Sequence, residues 1–124
     1  RLENIQVLDA EGSMAFAAGT PLTVLDRSLG LPTRSELLQN HPNPFNPTTT
    51  IPFAVSTPSD VSLIVYSPLG QEVKTLVFEA MAPGYHRVTW DGRDNLGRSV
   101  ASGIYLYRLV VGDFVEIKKA LLVK

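Results

Sequence analysis

The chain has 124 residues, 44% hydrophobic and 19% charged, with a formal charge of -1. That length suits one ordinary domain, or a small domain with a fragment of another, and the composition is globular. The near-neutral charge argues against a nucleic-acid field or a polybasic membrane patch, and the absence of cysteine removes disulfides, thiolate metal sites and thiol nucleophiles. No apolar run approaches the ~20 residues of a membrane span. With only two histidines, a multi-histidine metal site is excluded as well. The chain starts at Arg1 with no signal-peptide pattern, and it is expected to be an excised or processed C-terminal piece of a longer protein.

Residues 1–26 read as two or three strands. Ile5 and Val7 alternate with polar neighbours, Asp9-Ala10-Glu11-Gly12 is a turn, and Met14, Phe16, Leu22 and Val24 continue with apolar residues two apart. So short a stretch cannot bury a core of its own. Either it packs on the rest of the chain or, the favoured expectation, it is the trailing strands of an upstream β module. Residues 27–39 form the expected linker, punctuated by Gly30 and Pro32, with Ser35 able to cap a single helical turn.

Pro42, Pro44 and Pro47 then lie within six positions, each fixing φ and removing an amide donor. The segment cannot be an interior strand. It is expected to run as extended chain along a sheet edge, anchored by Phe45.

Strand signals follow in close order. Ile51, Phe53 and Val55 alternate, as do Val61, Leu63 and Val65. Ser67-Pro68-Leu69-Gly70 is a turn, and Val73, Thr75 and Val77 return. Ala82-Pro83-Gly84 turns again into Tyr85–Trp90. Residues 91–98 make a polar loop, and Val100 begins a short strand or bulge. Ile104–Val111, a Gly112-Asp113 hairpin turn and Phe114–Val123 close the chain. Seven short strands with regular turns and no long helical period predict an all-β, seven-stranded antiparallel β-sandwich of immunoglobulin or fibronectin type over residues 40–124.

Several motifs carry a family resemblance. Gln39-Asn40-His41-Pro42-Asn43-Pro44-Phe45-Asn46-Pro47-Thr48-Thr49-Thr50-Ile51 resembles the "QNYPNPFNPTTTI" opening of a family of bacterial C-terminal domains. Tyr66–Val73 is similar to its "YDxLGxxV" hairpin, Gly84–Gly92 to its "GxHxVxWDG" stretch, and Ser102–Tyr105 to its "SGxY" element. Lys118-Lys119 and the closing Leu121–Lys124 are similar to its basic–apolar end. The family is the type A sorting domain of the type IX secretion system. One departure is His41, where the family usually has Tyr. Residues 1–26 lie outside the match and look similar to the final strands of cohesin-like surface modules.

The resemblance implies an Ig-like fold similar to that of the flagellar hook-capping protein. It implies a non-catalytic secretion address that an outer-membrane translocon reads, and a surface sortase as a possible second partner. The cargo would be an upstream domain of the same chain, delivered to the surface of a Gram-negative bacterium by way of the periplasm. No cofactor, nucleic acid or membrane insertion is expected. Within the terminal hairpin, Gly103, Tyr105, Gly112, Lys118, Lys119 and Lys124 would form the recognised signal. The hairpin is expected to be an edge suited to strand addition. The plainer reading gives Tyr105 a core role, Gly103 a bend, and the lysines protection of the edge.

Three other constellations compete. Asp91, Asp94 and Asn95 loosely resemble a calcium loop, but they lack the closing bidentate Glu, and an Asx-stabilised turn explains them equally. Trp90, Tyr85, Tyr105 and Tyr107 could stack a sugar, whereas a sandwich of this size also needs a large aromatic in its core. His86 with Asp91 or Glu72 lacks a nucleophile motif. A retained spacer or docking module of a multimodular surface hydrolase is the remaining alternative.

Overall fold

Period-two alternation dictates two layers. In the computed structural model, which describes residues 31–124, β1 (Glu36–Leu37), β2 (Thr49–Val55) and β5 (Gly84–Trp90) form a three-stranded sheet in the order β1-β2-β5. Four strands, β3 (Ser59–Tyr66), β4 (Glu72–Met81), β6 (Gly103–Val111) and β7 (Phe114–Leu122), form the other sheet in the order β4-β3-β6-β7. Every pairing between these strands is antiparallel. The architecture is an Ig-like all-β sandwich. Arg34–Lys124 form one compact unit. The expected upstream strands at 1–26 lie outside the described residues.

The core is the set of inward positions that the alternation marks. Val61, Leu63 and Val65 of β3 lie beside Val111, Leu109 and Tyr107 of β6 in one sheet, and Ile51, Phe53 and Val55 of β2 complete the buried cluster from the other. Trp90 closes one end, and its indole N–H donates to the Arg93 carbonyl at 2.9 Å, so the polar end of the ring is satisfied.

Two differences from the sequence expectation concern the strand set. The seventh strand is not near Val100; it is β1, within the segment read as linker, where Leu37 is buried in the core. Ser35 does not cap a helical turn but accepts a bond from the Ser56 amide at 3.1 Å, tying β1 to the end of β2. Val100 belongs to a loop closed by an Arg93–Ser99 bridge, and its amide donates to the Gly92 carbonyl at 3.0 Å.

Strand β4 is irregular. Its register against β3 shifts between Leu63 and Ile64 and again between Val65 and Tyr66, leaving Leu76 and Val73 as extra residues. The start of its outer edge is capped by Asn95, which donates its amide to the Val73 carbonyl at 2.9 Å and accepts the Thr75 amide on Oδ1 at 3.0 Å.

Candidate recognition surface

The terminal hairpin β6–β7 is held by the proline-rich segment 38–47, which runs beside it as a strap. Phe45 forms a parallel bridge with Leu122: its amide donates to the Leu121 carbonyl and its carbonyl accepts the Val123 amide, both at 2.9 Å. Asn43 Oδ1 accepts the Leu121 amide at 2.9 Å, Gln39 Nε2 donates to the Lys119 carbonyl at 2.7 Å, and Glu116 accepts the Leu37 amide at 3.1 Å. The backbone edge of the hairpin is therefore occupied from Lys119 to Val123, and the Glu116 side chain ties β1 to it further along. This corrects the expectation that the hairpin is an open edge suited to strand addition. Three prolines without amide donors make a strand that can satisfy this edge locally without continuing the sheet.

Beneath the strap lies a polar latch. The buried Tyr107 hydroxyl donates to the Leu38 carbonyl at 2.9 Å and accepts the Asn40 amide at 2.8 Å. Burial pushes its pKa up to about 12, with the Glu116 charge adding to the rise and the Asn40 amide opposing it. Asn40 is itself buried, and its amide group donates to Thr49 Oγ1 at 3.0 Å and the Pro42 carbonyl at 3.2 Å.

The motif residues converge beside this latch. Phe45 and Tyr105 each lie 5.4 Å from the Trp90 ring, centroid to centroid, the first tilted and the second edge-on. Gly92 adopts φ +74, and a Cβ there would sit 3.1 Å from the Pro47 carbonyl oxygen, so strap and loop touch where only glycine fits. Leu122 packs against the same glycine position. Residues from the opening motif, the Trp-Asp-Gly stretch, the Ser-Gly-x-Tyr element and the terminal segment thus build one junction.

The six residues expected to form a signal do not form one surface. Tyr105 is buried, its hydroxyl donates to the Ala101 carbonyl at 2.6 Å, and burial raises its pKa. Gly103 and Gly112 hold left-handed backbone at the start of β6 and in the hairpin turn. Lys118 and Lys119 stand on opposite faces of β7: Lys118 turns inward to pair with Glu116 at 3.4 Å, while Lys119 stands exposed on the outer face. Lys124 is exposed and its ammonium donates to Ser99 Oγ at 3.0 Å. Lys119 and Lys124 are the members of the set with exposed charge.

The competing constellations fare as follows. Asp94 uses its carboxylate on the Leu96 and Arg98 amides and the Arg98 guanidinium; the bond from the Arg98 amide leads in holding its pKa below the usual carboxylate value. Asp91 accepts the Arg93 amide, and Asn95 bonds Glu72 as well as the β4 edge. These are Asx-turn and edge-capping roles. Among the described residues no three His, Cys, Asp or Glu side chains gather to hold a metal ion. Trp90, Tyr105 and Tyr107 are buried and offer no ring face to a sugar. His86 stacks on Phe53 at 5.4 Å, with Nε2 3.0 Å from the Ala82 carbonyl.

Residues 43–112 match the model of the FlgD Ig-like domain. The chain belongs to that family. Among solved structures it is similar to PorZ, described as an essential bacterial surface component of the type-IX secretion system of Porphyromonas gingivalis, at 20% identity and a TM-score of 0.51. That match covers 69% of this chain and 11% of PorZ. It is also similar to dimeric latent PorU from the same organism, at 22% identity and a TM-score of 0.59, over 72% of this chain and 9% of PorU. The chain thus spans about a tenth of the length of either protein. No curated protein matches it. These likenesses establish the Ig-like fold of the FlgD family domain.

Proposed function

We propose that this sandwich is a non-catalytic secretion and sorting domain, which directs an exported cargo through the outer membrane of a Gram-negative bacterium to the cell surface. The observation that carries the reading is the junction of Phe45, Trp90, Gly92, Tyr105 and Leu122. Residues from four separated motifs of the sorting-domain family meet there, and together they lock the terminal hairpin to the strap. The likeness to a fold unit of PorZ, a surface component of the type IX system, supports the same direction.

In this reading the hairpin is presented as a finished, strapped unit rather than as a strand donor. The outer-membrane translocon reads exposed features of it, chiefly Lys119 and Lys124. A surface sortase is the second partner, and the cargo lies upstream in the parent chain. The Gly, Pro and polar content of residues 27–40 puts cleavage in that stretch, and we narrow it to the part before Arg34, because residues from Arg34 onward are built into the sandwich.

The test is export of a reporter carrying the whole chain, in a cell with a type IX apparatus. Export is expected with the native chain and is expected to fail for Lys119→Glu with Lys124→Glu, provided the variant melts as the native chain does. Export of the reporter without the domain overturns the function. Normal export of the folded double variant overturns the two lysines as the signal. A mature cargo that retains the domain, seen by mass spectrometry, overturns the sortase step.

A further inference from the structure

The two outer faces of the sandwich differ in character. On the three-stranded sheet the outward positions include Thr50, Pro52, Arg87 and Thr89. On the four-stranded sheet they form cross-strand rows that are largely apolar. One row runs Phe78–Ser62–Val110–Val115 and the next Thr75–Ile64–Arg108–Ile117. A third runs Glu72–Tyr66–Leu106–Lys119, followed by Ile104 beside Leu121. Phe78 is 78% exposed, Val115 and Ile117 each 55%, and Ile104 50%. Arg108 does not break the field: it lies over the Tyr66 ring at 5.1 Å and donates to the Tyr66 hydroxyl at 2.9 Å, so its charge is held flat on the sheet. An antiparallel sheet with a solvated face normally alternates apolar-in and polar-out, and a continuous apolar outer face marks an interaction surface.

We infer that this face docks a second copy of the same chain, sheet against sheet, about a two-fold axis parallel to the strands. Charge placement selects the occupant and the axis. Rotation about that axis sets β4 of one copy over β7 of the other and keeps each row over itself. Glu72 then meets Lys119 of the second copy, twice per dimer, while Phe78 meets Val115. The shallow depression of about 550 Å³ beside this row is lined by Ser62, Phe78 and Val110 on the side where Val115 of the second copy enters, with Asp60 and Glu79 at its polar rim. The chosen axis sets Arg108, held on Tyr66, over Ile64 of the second copy; the perpendicular in-plane axis would invert the rows, placing Glu72 over Phe78, Lys119 over Val115 and Arg108 over Arg108, and would leave all of these charges without a counter-charge. Four strands about 4.8 Å apart and some eight residues long give a face of roughly 500 Å² per copy, near the lower bound of about 1,000 Å² in total for a specific interface. The dimer is therefore weak and concentration-dependent. This inference does not rest on the export reading.

Sedimentation velocity on the full chain tests it, from about 1 µM to about 500 µM, the range in which an interface of this size associates. The expected result is a rise from monomer to dimer across the series. Ile117→Lys, at an exposed position, is expected to weaken association at least tenfold without moving the melting temperature. Lys119→Glu and Glu72→Lys are each expected to abolish self-association, and a mixture of the two chains to restore it, since every cross-copy pair then has opposite charges. Because Glu72 also accepts bonds from Thr75 and Asn95 in its own chain, Glu72→Lys is scored by that mixing, with Lys119→Glu as partner. A chain that stays monomeric throughout overturns the inference and assigns the face to a different occupant. A dimer indifferent to Ile117→Lys overturns it as well, and failure of the mixture to associate overturns the stated axis.

Discussion

The Tyr107 hydroxyl oxygen and the Asn40 amide nitrogen lie 2.8 Å apart across 67 residues of chain, with the Leu38 carbonyl 2.9 Å from the same hydroxyl. One phenol thus satisfies both a donor and an acceptor of the strap in a place that water does not reach. Tyr107→Phe keeps the ring and orphans both backbone groups. It is expected to cost about 1–3 kcal/mol, read by urea unfolding, because a buried unpaired amide or carbonyl carries its full desolvation penalty.

The same residue predicts an alkaline limit. The folded pKa of about 12 lies above the value of about 10 for an unfolded tyrosine. The unfolded chain therefore releases the proton first as pH rises. The contribution of Tyr107 to stability is fully present below about pH 10 and is lost between about pH 10 and about pH 12. Unfolding midpoints measured across that window are expected to fall for the native chain and to fall less for Tyr107→Phe.

Phe45 has little polar work to do beyond its backbone, yet its ring is buried against Trp90. Phe45→Ala removes this anchor and leaves a cavity beside the indole. A loss of about 3–5 kcal/mol is expected, together with a change in Trp90 fluorescence that reports water reaching the ring. Retained stability and an unchanged emission spectrum would show that the strap does not depend on this side chain.

At Gly92 both backbone and space forbid a side chain. Gly92→Ala must hold φ +74 and press a methyl against the Pro47 carbonyl oxygen at 3.1 Å. A cost of about 1–3 kcal/mol is expected from strain of this kind. Ala at Gly97, where the backbone is also left-handed but nothing lies within 4 Å, is expected to cost less and serves as the control.

Asn95→Ala removes the side-chain acceptor of the Thr75 amide and the contact with Glu72. Hydrogen exchange at the Thr75 amide is expected to accelerate, while amides in β6 stay protected. Unchanged exchange at Thr75 would show that the loop does not cap this edge.

The sequence made β2, β3 and β6 legible because their inward residues are Val, Ile, Leu and aromatic at spacing two, and it made β4, β5 and β7 legible through the turns that bound them, since their inward positions also hold His86, Glu116 and Lys118. It also marked Phe45 as an anchor, since a lone aromatic among prolines has no other role in an extended segment. β1 escaped because two residues cannot show a period, and the neighbouring Gly30 and Pro32 suggested a linker. The closed edge of β7 escaped for a different reason: its partners, Gln39, Asn43 and Phe45, are about eighty residues away, and no local pattern records that pairing. Lys118 and Lys119 resemble a basic pair in the sequence, yet neighbours in a strand point to opposite sides, and that rule alone separates them.

Leu122 is part of the core, and the Val123 amide closes onto Phe45. A nascent or proteolysed chain that stops short of Leu122 lacks both the plug and the seam and cannot close the sandwich. Completion of the core therefore depends on the segment through Val123, and the strands before it keep an open end until that segment is in place.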